Sequence, residues 1–231
     1  MTEKDPALVT DERQFATGRA LAAGRGVEWL RRGWELFVRN PALWVAFAVV
    51  LLLVFGVLAV LGPLGQLAGH LLAPLFVAGL MHACRVLDQG GELAFEQLFS
   101  GFRHNTQALV LLGLCYLAGA LAIMAVSLLI VAGGSAFGIL VGDMAGAGIA
   151  ASSLGLGILV FALLSVPLVM ALWFAPALVV FRAASVLHAL TGSFAACLRN
   201  VLPMAIYGLL LLVAFAAAML PFGLGVLGVV P

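Results

Sequence analysis

The sequence predicts an all-α polytopic transmembrane bundle of six spans, built as three repeats of an interfacial helix followed by a helical hairpin. Three observations carry that prediction. Of 231 residues, 65% are hydrophobic and 9% charged, whereas a soluble domain carries about 25% charged residues. So few charges cannot wet a globule of this size, and the mean hydropathy of +1.22 agrees. Uncharged runs long enough to cross about 30 Å of hydrocarbon recur along the chain. The basic residues gather on one side of those runs, as cytoplasmic loops require.

Residues 1–24 read as a polar cytoplasmic tail and 25–231 as one transmembrane domain, with repeats at about 25–90, 91–181 and 182–231. Seven of the 11 basic residues lie in the first forty positions: Lys4, Arg13, Arg19, Arg25, Arg31, Arg32 and Arg39. Six acids accompany them, so the tail is mixed in charge and fits no nucleic-acid partner. It contains no apolar core followed by a small-residue cleavage site, and the first span is expected to act as an uncleaved signal anchor.

The first span is Ala42–Leu61, closed by Gly62-Pro63. Leu64–Cys84 is the second, with His70 and His82 but no formal charge. Ala108–Ala132 is the third, and Ser152–Phe181, with Pro167 and Pro176 inside it, is the fourth. Val201–Leu220 is the fifth, and Phe222–Pro231 begins a sixth. With the tail cytoplasmic, Arg85, Arg103, Arg182 and Arg199 fall on the same side as the tail. The outer turns around 62–63, 133–151 and 221 then hold no basic residue, and Asp143 is their one formal charge. Spacing of the prolines makes Pro231 the mid-helix proline of the sixth span, so the natural chain is expected to continue beyond it.

An amphipathic stretch precedes the first, third and fifth spans. Val27, Leu30, Trp34 and Phe37 stand at helical spacing before Asn40; Phe95, Leu98 and Phe102 before Asn105; Leu187, Leu190, Phe194 and Cys197 before Asn200. In each, an aromatic (Trp34, Phe99, Phe194) stands six residues before the asparagine, and a basic residue (Arg39, Arg103, Arg199) one or two before it. Apolar faces at this spacing with arginines opposite suit a helix lying in the headgroup layer. Each asparagine opens a span, where its side chain can accept an orphan N–H of the first turn.

The motifs Gly33-Trp34-Glu35-Leu36-Phe37, Asn40-Pro41 and Trp44, with Ser193-Phe194, Cys197, Arg199-Asn200, Pro203 and Tyr207-Gly208, resemble an uncharacterised family of proteobacterial six-span inner-membrane proteins. That family is distantly similar to the membrane domain attached to some glycerophosphodiester phosphodiesterases. The resemblance runs from about residue 20 and implies the six-span architecture. It implies no hydrolase activity, because nothing in the chain matches the phosphodiesterase catalytic domain.

His70 is the one candidate for a functional intramembrane group, as a proton or ligand contact; the alternative is a helix–helix hydrogen bond. His82 reads as interfacial. Gly134, Gly138, Gly142 and Gly146 repeat every fourth residue, leaving a groove where another helix can approach closely. That run is read as helix packing, against a flexible outer loop or a conduction element. Pro167 and Pro176 read as kinks, against a broken transporter helix whose free carbonyls hold an ion. The three cysteines have no metal or disulfide-framework spacing and read as apolar packers.

No His-Glu-x-x-His, Gly-x-Ser-x-Gly or phosphate-cradling Gly-Lys-Ser occurs, and no acid lies within a span. The expected protein therefore has no catalytic site, metal or cofactor. Its expected partners are the lipid bilayer and other membrane proteins or a second copy. The expectation is a scaffold, assembly factor or accessory subunit of the bacterial inner membrane with its N-terminus cytoplasmic. The alternative is a transporter or channel for a small or lipidic solute around the repeat axis. A polar passage reached by His70, Ser127 or Ser165 would favour that alternative, and a sealed apolar axis would oppose it.

Overall fold

The structure, a computed structural model, describes residues 20–227, with side chains to 217. Among these residues every regular element is helical. α1 (Arg25–Arg39) carries Glu28 in its first turn and Arg39 in its last, which complements the helix dipole. Arg25–Glu28 and Arg31–Glu35 pair along its exposed face. Asn40 ends α1 and starts α2 (Pro41–Val60), its Oδ1 accepting the Leu43 N–H at 3.3 Å. Pro41 in the first turn has no N–H to leave unpaired.

The chain reverses at Leu61-Gly62 into α3 (Gly62–Asp88), with Gly62 at φ +64°. Gly65 lets the two helices touch there, since a Cβ on it would lie 1.8 Å from the Leu58 carbonyl oxygen. A 3₁₀ helix (Phe95–Phe102) then leads to α4 (Thr106–Val141) and α5 (Asp143–Trp173). α6 (Ala175–Arg182), α7 (Val186–Arg199) and α8 (Val201–Leu227) complete the described chain.

Four segments are long and apolar enough to cross a membrane: α2, α3, α4, and α5 with α6. α7 and α8 meet at 82° and make a fifth if counted as one bent span. The order of short helix, Asn, long helix recurs three times, as α1–Asn40–α2, the 3₁₀ helix–Asn105–α4, and α7–Asn200–α8.

Three expectations about boundaries change. The outer turn over 133–151 is not a loop. α4 and α5 run on through it and meet at Gly142 (φ +73°) and Asp143 (φ +48°). A stretch whose one formal charge is Asp143, at the turn, satisfies its backbone most cheaply by staying helical on either side in an apolar medium. At about 1.5 Å per residue, the 36 residues of α4 reach about 54 Å, so the pair tilts steeply or carries its tip past the hydrocarbon. Nor is there a turn at Pro221: α8 continues through it to Leu227, as membrane helices tolerate proline. The expected sixth span is thus the extension of α8 as far as 227, and its remainder with Pro231 lies outside the described residues, as does 1–19 of the tail. The second interfacial helix is 3₁₀ rather than α, bent by the close approach described below.

The core sits where the three units meet. Leu75 and Ala78 of α3, Leu109 and Leu112 of α4, Ala175 and Val179 of α6 and Ala189 of α7 form one fully buried apolar cluster. A second joins Phe47 of α2 to Phe76, Ala83 and Leu87 of α3 and Leu98 of the 3₁₀ helix. The first and third units touch directly. Gly26 of α1 abuts the Pro203 carbonyl oxygen, and Trp29 stands edge-on to Tyr207 with ring centroids 6.2 Å apart.

Candidate functional site

Two cavities and one broken helix are candidate sites among the described residues. The first cavity, about 650 Å³, lies at the arginine-bearing end between α3, the 3₁₀ helix and the last turn of α6. His82, Arg85 and Gln89 line it from α3, Arg103 and His104 from the corner before α4, and Phe181 from α6. Two glycines fix its walls. A Cβ on Gly79 would lie 2.0 Å from the Leu98 carbonyl oxygen, and one on Gly101 2.2 Å from that of Leu75, so α3 and the 3₁₀ helix meet backbone to backbone. Asn105 then takes a left-handed conformation (φ 56°) and its Nδ2 donates to the Val179 carbonyl at 3.3 Å. That bond ties the corner to α6. The Arg85 guanidinium lies 4.8 Å from the centre of the Phe181 ring.

The second cavity, about 880 Å³, is a lateral groove between α5, α7 and α8, roofed by Trp29 of α1. Val166, Val169, Trp173, Leu198 and Leu211 make its walls apolar, with Ser165 among them. The Ser165 hydroxyl donates to the Phe161 carbonyl of its own helix at 2.7 Å.

The helix break is at Phe174, between α5 and α6, where Pro176 enters the first turn of α6. In an unbroken helix the Phe174 N–H would bond the Met170 carbonyl. Ser193 of α7 stands between them instead. Its hydroxyl accepts the Phe174 N–H at 3.0 Å and donates to the Met170 oxygen at 2.8 Å. Cys197 donates to the same oxygen at 3.3 Å. A side chain inserted into the ladder is a known cause of kinks, and here it occupies the Phe174 N–H and the Met170 carbonyl. The sequence marks Ser193 as a family residue and Cys197 as an apolar-face packer, and neither reading names their partner, which lies across a tertiary contact. The run Ser193-x-x-x-Cys197 on one helix face was the available signal.

With this geometry in hand, one relative decides the family. A protein of Burkholderia thailandensis named a probable inner membrane protein is 32% identical over 216 residues, which cover 90% of this chain and 78% of that one. The chain belongs to this inner-membrane protein family. No family model and no solved structure matches it. The relative's name and the apolar helices together make this an integral membrane protein of the inner-membrane type.

The structure distributes the inner-membrane protein's sequence-marked residues through the scaffold rather than gathering them in one site. Of the asparagines, Asn40 caps α2 through its side chain, but Asn105 makes no side-chain cap and turns to α6 instead. Its left-handed backbone aims the amide away from the first turn of α4. Asn200 accepts the Leu21 N–H at 2.8 Å and donates to the Ala196 carbonyl at 2.8 Å, so it fastens the segment before α1 to the start of α8. Trp34 is exposed and tilts against Phe37. Phe99 joins a ring cluster with Phe76, Phe95 and Phe102, and Phe194 is half-buried.

His70 stacks on Tyr116 of α4 with centroids 5.0 Å apart. Neither cavity reaches it or Ser127. Ser127 is buried in the α4–α5 seam with its hydroxyl unpartnered among the described residues. The glycine run lies in that seam. A Cβ on Gly134 would lie 2.1 Å from that of Ser153, one on Gly138 2.5 Å from the Gly146 oxygen, and one on Gly146 2.1 Å from the Gly138 oxygen. Gly142 makes the turn itself. Among the described residues no group of three His, Cys, Asp or Glu side chains is placed to hold a metal.

Proposed function

We propose that this chain works without catalysis, as a scaffold, assembly or accessory subunit that acts through helix packing in the inner membrane with its arginine-bearing end cytoplasmic. One observation carries the reading. The place where the three units meet is a solid cluster of buried Leu, Ala and Val rather than a passage. His70, Ser127 and Ser165, which would have lined a polar passage, lie apart, each engaged with or packed against its neighbours. This weighs against solute transport along the repeat axis. The lateral groove between α5, α7 and α8 has mostly apolar walls, a surface that suits a partner's transmembrane helix.

A photoreactive amino acid at Val169 in the groove, compared with one at Leu52 on the lipid face of α2, tests the reading in native membranes. The proposal expects a discrete protein adduct from Val169 and none from Leu52. No protein adduct from the groove would contradict it.

A further inference from the structure

The cavity at the arginine-bearing end has a chemistry that helix packing does not use. Its lining brings together two guanidiniums, Arg85 and Arg103, and two imidazoles, His82 and His104, with no carboxylate among the lining residues. Neither arginine is in an ion pair among the described residues. The three pairs formed there are Arg25–Glu28, Arg31–Glu35 and Arg32–Asp88, all at other positions. Arg85 is steadied by the Phe181 ring, while Arg103 is presented by a corner that the left-handed Asn105 and its bond to α6 hold in place. Two unpaired guanidiniums on a rigid frame are donors waiting for an acceptor. Phosphate oxygens match their planar forks.

We propose that this cavity binds the phosphate group of an anionic ligand through Arg85 and Arg103, with His82 and His104 as further donors. A phospholipid headgroup and a soluble phosphate ester share that chemistry. The site lies at the ends of helices long and apolar enough to cross a membrane, and basic pockets between spans take anionic lipid.

The test uses the full chain, delipidated in mild detergent and offered equal phosphatidylglycerol and phosphatidylcholine with matched acyl chains. Retained lipid is read by native mass spectrometry. Arg103→Gln, at an exposed position, should lower the preference for phosphatidylglycerol about fivefold, and Arg85→Gln with Arg103→Gln should lower it by about that factor again. Arg31→Gln with Arg32→Gln removes the same charge from α1 and should leave the preference unchanged. In a second arm, inorganic phosphate is titrated against the thermal midpoint of the wild-type chain and Arg103→Gln. A phosphatidylglycerol preference that depends on Arg103 assigns the lipid headgroup. A phosphate-induced rise that depends on Arg103, without lipid preference, assigns a soluble phosphate. If neither readout depends on Arg103, or if the α1 variant loses as much preference as the cavity variant, the proposal is overturned.

Discussion

Gly146→Ala should destabilise the α4–α5 hairpin, although alanine is the better helix former. A Cβ on Gly146 would stand 2.1 Å from the Gly138 carbonyl oxygen, and carbon contacts become comfortable only near about 3.5 Å. The obstacle is backbone, so no rotamer change relieves it, and the helices must separate by more than about 1 Å. Overpacking of this kind costs about 1–3 kcal/mol, against a gain of up to about 1 kcal/mol in helix propensity. Gly148→Ala is the matched control, because nothing lies within 4 Å of its Cβ position. It should be neutral or slightly stabilising. The assay is equilibrium unfolding of the purified chain in mixed detergent micelles, followed by helical circular dichroism. Equal midpoints for the two variants would refute the claim that the glycines set the helix separation.

Ser193→Ala leaves the Phe174 N–H and the Met170 carbonyl without their shared partner. Hydrogen bonds between membrane helices average about 0.6 kcal/mol, so a loss of about 1 kcal/mol is expected in the same unfolding assay, and Ser193→Thr should recover much of it. Asn105→Ala should cost less at the start of α4 than Asn40→Ala costs at the start of α2, because only Asn40 accepts a first-turn N–H there; hydrogen exchange of those turns reads the difference. The Glu28 carboxyl lies below its ordinary range, first through the hydrogen bond from Arg25 and then through that charge. Its small contribution is therefore complete above the ordinary value and fades as pH falls through the lowered one. Glu28→Gln should lower stability slightly at neutral pH and leave it unchanged below the lowered value, so the acid side of the profile flattens. With the arginine-bearing end cytoplasmic, a cysteine at Met144 should react with an impermeant maleimide in intact spheroplasts, and one at Gln89 only after lysis.

The membrane bundle was legible because insertion is written in composition and charge placement. Uncharged runs and the one-sided arginines marked the crossing helices α2, α3 and α4 before any coordinates. Boundaries were less legible. The glycine run reads as a packing face within an outer turn, and what the local sequence does not name is the partner: Gly138 and Gly146 abut each other across a continuous helical hairpin. Pro221 reads as a turn by analogy with Pro63. Gly62 at positive φ makes the earlier turn, however, and no glycine precedes Pro221 in that way. Asn105 shared its spacing with Asn40 but not its backbone conformation. The arginine cavity was hidden for another reason. Arg85 and Arg103 served fully as markers of sidedness, and the packing of the 3₁₀ helix on α3 brings them to one cavity.

In the proposed role the chain acts through packing against another membrane protein. Affinity purification from native membranes in mild detergent, with the mass of the intact assembly measured, tests that most directly. The account predicts a stoichiometric complex with another membrane protein, dispersed by a bulky polar substitution in the groove such as Val169→Gln. Recovery of the chain alone, with the groove variant behaving identically, would contradict it.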